Sequence, residues 1–229
     1  MQSQNQMSTT YIQNKDVLLV GGSGGIGTAL RTTLEEANCN VISINRSVCD
    51  ISSKKQIDDL FVNIKNVDVL INNAAINHAK KIDDVSFEEW ENVLRVNMTG
   101  LFYVTKKSIP LMKPGSKIVN VSSIAGRHKS LVSGVHYTAS KSGLIGFTRQ
   151  LAHELGPKGI NVNCVCPSQT RTPMLERSMN EDEIKKLSDQ IPLRRIANVE
   201  EIVKPILFLC SQDSSYIHGA CIDINGGQF

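Results

Sequence analysis

The stretch Val17-Leu18-Leu19-Val20-Gly21-Gly22-Ser23-Gly24-Gly25-Ile26-Gly27 decides the fold. Apolar, strand-forming residues run up to Val20 and stop at a cluster of glycines. From Ile26 the spacing turns helical, with Ala29, Leu30 and Leu34 on one face. Glycines in such a turn permit positive φ and bring backbone N–H groups close to a phosphate at the start of the helix, where the macrodipole favours negative charge. A tight turn alone also uses glycine. The position between strand and helix points instead to a dinucleotide, with Gly21, Ser23, Gly25, Ile26 and Gly27 at its pyrophosphate.

Outward from this loop the same alternation continues. Strand-like runs occupy 17–20, 40–44, 67–71, 117–122, 160–165 and 221–224, separated by helical patterns at 26–37, 54–64, 87–112, 137–155 and 199–209. Runs that are apolar on both faces suit a buried parallel sheet. The expected fold class is therefore α/β: a single doubly wound parallel sheet of six or seven strands flanked by helices, over 15–229, after a loosely ordered polar tail at 1–14. In such a sheet the ligand lies beyond the carboxyl ends of the strands.

Composition narrows the function. The chain has 229 residues, 41% hydrophobic and 21% charged, enough for a core without staples and incompatible with a disordered or fibrous protein. A net charge of +3 with no single-sign block offers no nucleic-acid face. The longest apolar runs, 17–20, 67–71 and 206–210, are far too short to span a membrane, and the polar start lacks a signal peptide's apolar stretch. The six cysteines stand apart from any CxxC pair and read as small buried hydrophobes in a reducing cytoplasm. Histidines 78, 128 and 136 have no ligand spacing, so no metal is expected, and they read as solvated or substrate-facing loop residues.

Two patterns carry chemistry. Tyr137 and Lys141 in Tyr137-Thr138-Ala139-Ser140-Lys141 are four apart, hence on one helix face. A phenol with a pKa near 10 needs about 4 kcal/mol of differential stabilisation to titrate three units lower, and a neighbouring cation supplies that kind of effect. At the end of the second strand stand Asn45 and Arg46, where an NAD-preferring site places a carboxylate for the ribose 2′-hydroxyl. A guanidinium fork suits a 2′-phosphate, which favours NADPH over NADH; the alternative is a solvated surface Arg46.

The glycine spacing of Gly21, Gly25 and Gly27, the segments Asn72-Asn73-Ala74-Ala75, Val96-Asn97-Met98 and Val121-Ser122-Ser123-Ile124-Ala125-Gly126, and the Tyr137/Lys141 pair together resemble the short-chain dehydrogenase/reductase family. The resemblance runs from about 15 to 229 and implies a Rossmann fold and an oxidoreductase. It implies Asn97, Ser123, Tyr137 and Lys141 as the catalytic tetrad: Tyr137 protonates the carbonyl oxygen, Ser123 hydrogen-bonds it, Lys141 holds the nicotinamide ribose and depresses the Tyr137 pKa, and Asn97 anchors a relay water. Ser123 is preferred over Ser122 because adjacent strand residues face opposite ways and Ser123 directly precedes Ile-Ala-Gly. Further implied cofactor contacts are Ser47, Asp50, Ile51, Asn73, Ala74, Pro167, Thr170 and Thr172; Asn72 or Asn73 reads equally well as a structural hydrogen bonder.

The segment Ile191-Pro192-Leu193-Arg194-Arg195 and the closing Asn225-Gly226-Gly227 are similar to 3-oxoacyl-[acyl-carrier-protein] reductases. This implies reduction of a small-molecule ketone, free or bound to a carrier protein; a sugar or nucleotide-sugar ketone and a non-catalytic NADP-binding regulatory protein are the alternatives. Specificity is expected from 77–84, 127–136 and the lid 174–195, with an apolar stripe at Leu175, Met179, Ile184 and Leu187. Helices at 87–112 and 137–155 imply a homotetramer or homodimer. Departures from the family pattern are Val20 for threonine, Ala75 and Ser168 for glycine, and a shortened connection after Arg46 that leaves no room for the usual helix.

Overall fold

Why the apolar runs are continuous rather than alternating is plain from the computed structural model, which describes residues 12–130, 132–178 and 180–228: the central strands are covered on both faces. The strands are β1 (Asp16–Val20), β2 (Asn40–Ile44), β3 (Val69–Asn72), β4 (Lys117–Val121), β5 (Asn161–Pro167) and β6 (Cys221–Ile224). They form one parallel sheet in the order β2-β1-β3-β4-β5-β6. One face, with Leu18, Leu70, Ile118 and Val162, packs on α4 (Leu101–Ser108) and α6 (Val135–Leu155). The other, with Leu19, Ile71, Val119 and Val165, packs on α1 (Gly25–Glu36) and α9 (Val199–Cys210). This is the doubly wound α/β fold. The strand order reverses between β1 and β3, where Val20 and Asn72 are register partners, so the residues after them, Gly21 and Asn73, open the crevice.

Residues 45–53 run from β2 to α2 (Lys54–Phe61) as turns, and β2 is an edge strand. Asn45 organises this connection: its Oδ1 accepts from the N–H groups of Ser47 and Val48 at 3.0 and 3.1 Å and from the Ser47 hydroxyl at 2.6 Å. The lid comprises α7 (Pro173–Ser178) and α8 (Glu181–Ser188), with Ile184 and Leu187 buried against Ile191 and Ile196 beside Leu175; Met179 lies outside the described residues. No helix among the described residues is long and apolar enough to cross a membrane.

One expectation is corrected. The stretch 87–112 is not one helix: α3 (Phe87–Leu94) passes through a π-helical turn, Arg95–Gly100, into α4. The extra residue in that turn accompanies the aiming of Asn97 into the interior, where its Nδ2 donates to the Ile76 carbonyl at 2.9 Å and its Oδ1 accepts from the Ile76 N–H at 2.8 Å. Within the stretch read as tail, Ile12 is 2% exposed and packs in the core, its carbonyl accepting from the Cys39 thiol; residues 1–11 lie outside the described residues.

One polar chain crosses the core. Asn72 Nδ2 donates to Asn120 Oδ1 at 2.8 Å and to Thr105 Oγ1 at 3.0 Å, and Asn120 Nδ2 donates to Thr148 Oγ1 at 2.9 Å, all in fully buried positions. Asn120→Leu keeps the branched outline with somewhat more bulk and strips Asn72 and Thr148 of a partner, which costs roughly 1–3 kcal/mol for buried polar groups left unpaired. Urea denaturation is expected to record that loss; an unchanged midpoint would show the chain to be energetically silent.

Candidate active site

The crevice begins at Gly21, whose φ of +89° favours glycine and where a Cβ would come within 2.5 Å of the Ala74 backbone. A Cβ on Gly27 would collide with the Gly21 carbonyl, so the first turn of α1 lies directly against the loop. Asn73 Nδ2 donates to that same carbonyl at 2.8 Å and clamps the loop to the end of β3. The N-cap of α1 is Gly24, which has no side chain to satisfy the helix's free N–H groups. An unclaimed positive helix end beside a glycine cradle fits a pyrophosphate.

A cleft of about 440 Å³ extends from this loop across the end of β2. Its walls include the expected residues Gly21, Ser23, Asn45, Arg46, Asp50, Ile51, Asn73 and Ala74. The Arg46 side chain is 92% exposed, with Nε 3.7 Å from Asp50 Oδ2, and is free to turn toward a ligand. Asp50 Oδ1 accepts from the Ser52 hydroxyl at 2.7 Å and the Ser52 N–H at 2.9 Å; these bonds, with Arg46 behind them, hold its carboxyl below the usual range. Ser52, Ala75, Ile76, Asn92 and Val96 also line the cleft and were not foreseen. Asn92 and Val96 reach it from α3 and the π turn by tertiary packing, for which a single sequence carries no local signal.

Gly25, Ile26, Gly27, Ser47, Pro167, Thr170 and Thr172 are not among those walls. Thr172 nevertheless comes against Gly25, within 2.8 Å of where a Cβ would stand, so the segment after β5 folds over the glycine loop. Thr170 is turned away, its hydroxyl donating to the Ser168 carbonyl at 3.1 Å while its backbone bridges to Ala197. Asn72 and Asn73 separate cleanly: Asn72 points into the core chain and Asn73 into the cleft, as alternation along β3 requires.

Beyond the ends of β4 and β5, Ser123, Tyr137 and Lys141 come together. Ser122 and Ser123 diverge: the Ser122 hydroxyl donates to the Lys141 carbonyl at 2.8 Å, whereas the Ser123 hydroxyl caps the short helix α5 (Ile124–Arg127), accepting from the Ala125 N–H at 3.1 Å, and lies near enough to the Tyr137 phenol to influence its ionisation. Burial pushes that phenol up, opposed by the Ser123 hydroxyl, so the lowering expected from Lys141 is not seen: desolvation outweighs it. Lys141 is 1% exposed; its Nζ sits 5.6 Å from the Tyr137 ring centroid and donates to the Val121 carbonyl at 2.6 Å. Desolvation pulls its pKa down to about 8. Asn97 stands apart, engaged with Ile76 and, through Nδ2, with Ser140 Oγ at 3.1 Å.

His136 departs from the solvated reading of the loop histidines. It is fully buried at the start of α6, where Nδ1 accepts from the Tyr137 N–H at 2.9 Å and Nε2, without a hydrogen bond, faces Glu89 Oε1 at 3.9 Å. No group of three or more His, Cys, Asp or Glu residues suited to a metal ion occurs among the described residues.

A family model described as enoyl-(acyl carrier protein) reductase matches residues 21–228. A 3-oxoacyl-[acyl-carrier-protein] reductase of Aquifex aeolicus is 36% identical over 247 aligned positions, covering 95% of this chain and 98% of its own. Those positions outnumber the 229 residues here, so that relative carries residues this chain lacks. Among solved structures, the ligand-free aldohexose dehydrogenase of Thermoplasma acidophilum superposes with a TM-score of 0.85 at 29% identity, over 94% of each chain. A short chain dehydrogenase of Leptospira borgpetersenii with bound NAD+ gives 0.86 at 28% identity, over 96% of this chain and 94% of that one.

Proposed function

Because the chain belongs to the short-chain dehydrogenase/reductase family, and is therefore an oxidoreductase, we propose that it is an NADPH-dependent reductase of the 3-oxoacyl type, converting a ketone to a secondary alcohol. The observation that carries this reading is the meeting of Tyr137, Ser123 and Lys141 at the carboxyl end of the sheet, the same end that carries the glycine cradle after β1. The nicotinamide coenzyme, when bound, supplies the hydride. Tyr137 donates the proton to the carbonyl oxygen, and Ser123 holds that oxygen by a hydrogen bond. A phenol pushed up by burial stays protonated through neutral pH, the form a reduction needs. Lys141, buried and cationic below about pH 8, presents positive charge toward the phenol and the ribose. Asn97 holds the Ile76 backbone at the wall of the cleft and keeps the relay role implied by the family pattern as a proposal.

Preference for NADPH rests on Asn45 and Arg46 at the end of β2 with no carboxylate in their place. The NAD+ in the Leptospira neighbour makes NADH the competing cofactor. Arg46→Ala is expected to weaken NADPH binding about tenfold or more, the worth of a charge-assisted phosphate contact, and to leave NADH within twofold or so. Equal losses in a fluorescence titration of the two would remove Arg46 from the phosphate site.

The aldohexose dehydrogenase likeness favours a second reading, a sugar or nucleotide-sugar ketone as substrate. The third reading, a non-catalytic NADP-binding regulatory protein, needs no proton donor, and Tyr137 with Lys141 argues against it. NADPH oxidation measured against 3-oxoacyl thioesters, free and carrier-bound, and against keto-sugars separates the three: turnover only with thioesters supports the proposal, turnover only with sugars replaces it, and cofactor binding without turnover favours the regulatory protein. A homotetramer or homodimer is part of the proposal, supported by Phe102, which stays 46% exposed on α4 while stacking edge-on to Phe147 of α6. Light scattering at micromolar concentration checks it.

A further inference from the structure

Three cysteines that the active site does not use meet on one face of the sheet. Cys164 of β5 and Cys221 of β6 are register partners on adjacent parallel strands, and Cys166 stands two residues along β5, so all three side chains share the face covered by α6 and pack with Ile145. Cys164 and Cys166 are fully buried. Cys221 is half-buried, because β6 is the edge strand of the sheet. Adjacent strands lie about 4.8 Å apart, which puts the Cα atoms of Cys164 and Cys221 inside the range that a disulfide spans.

The surroundings divide the labour between these two. The neighbouring Cys164 lowers the Cys221 thiol, helped by the positive charge of Arg149 of α6 and Arg127 of α5, against partial burial and the nearby Asp223; the Cys164 thiol itself donates to the Val165 carbonyl at 3.5 Å. Arg127 is held in place by its fork onto Asp223, with Nε to Oδ1 at 3.1 Å and Nη2 to Oδ2 at 3.0 Å. The neighbouring Cys166 and Cys221, together with burial, push the Cys164 thiol up. An accessible thiolate with a neutral thiol directly behind it is the pairing of an attacking and a resolving cysteine. Cys39, Cys49 and Cys210 differ: each is buried, and burial pushes its thiol up.

We propose that Cys221 is a peroxide-reactive thiol and that Cys164 resolves it into an intrachain disulfide. The Cys221 thiolate attacks one oxygen of hydrogen peroxide, the O–O bond breaks, and hydroxide leaves to become water, so that Cys221 is oxidised by two electrons to the sulfenic acid. The Cys164 sulfur then attacks the Cys221 sulfur, the S–O bond breaks, and the departing hydroxide takes the Cys164 proton as a second water. The net change is two thiols and one peroxide to one disulfide and two waters. The site stands independently of the reductase reading, since thiol masses report it without turnover.

The full chain, fully reduced, is exposed to a small excess of hydrogen peroxide, its remaining thiols are blocked with N-ethylmaleimide after unfolding, and its peptides are weighed. A Cys164–Cys221 bond is expected as the first product, reversed by dithiothreitol, with Cys39, Cys49 and Cys210 recovered alkylated. Cys164→Ser should halt at a sulfenic acid on Cys221 that dimedone traps, and Cys221→Ser should slow oxidation of the chain by about an order of magnitude. Oxidation of another cysteine ahead of Cys221, a bond from Cys221 to Cys166 or to a second chain, or six intact thiols after peroxide would each overturn the proposal.

Discussion

Tyr137→Phe is expected to lower turnover by about 10²–10⁴-fold, the usual worth of a positioned proton donor. Phenylalanine keeps the ring, its volume and its half-buried place on α6, so only the phenolic hydroxyl beside Ser123 is lost. The glycine cradle, Asn73 and Arg46 are untouched, and NADPH should bind within about twofold of the parent, a change of under 0.5 kcal/mol. That split between turnover and binding distinguishes a proton donor from a packing residue, which would cost both. Retained turnover would remove Tyr137 from the chemistry and with it the assigned mechanism.

What was legible in the sequence had local causes. The loop at 21–27 declares itself because a strand, a tight turn and a helix start each demand particular residues within a few positions. The pairing of Tyr137 with Lys141 follows from helix periodicity, and the divergence of Ser122 from Ser123 follows from strand alternation. Alternation also separates Asn72 from Asn73, a distinction open to the sequence reading and not drawn there.

The remainder depended on partners distant in the chain. Residues 87–112 keep a helical pattern throughout, and the π turn is tied to the bonds of Asn97 with the backbone of Ile76, twenty-one positions earlier. His136 lies two positions from a glycine on a polar segment, which reads as surface; its burial comes from the approach of His78 and Glu89, whose positions are set by other loops. Ile12 reads as tail because the cysteine that takes its carbonyl, Cys39, stands beyond a whole helix. The cysteine cluster likewise needs the register of β5 against β6, since spacing along the chain says nothing about which strands are neighbours.

Lys141→Met is expected to lower turnover about 10²-fold or more while making the cofactor-free protein more stable. The ammonium is fully buried, and its pKa falls from 10.5 to about 8, a penalty on the charged form of ~3 kcal/mol. Methionine fills similar space without charge; losing the bond to the Val121 carbonyl returns about 1–2 kcal/mol of that gain. The net expectation at neutral pH is a stabilisation of about 1–2 kcal/mol, seen as a higher melting temperature. The pH dependence carries a definite sign. Between about 8 and 10.5 the unfolded chain still binds the lysine proton and the folded chain has released it, so the parent gains stability as pH rises through this window. Below about 8 both states bind the proton and the penalty is whole. The advantage of Lys141→Met should therefore be constant below pH 8 and shrink steadily above it. An advantage that grows with pH, or a variant less stable than its parent at pH 7, would mean that Lys141 is held by favourable contacts strong enough to outweigh its desolvation, and that its charge is not strained in the empty site.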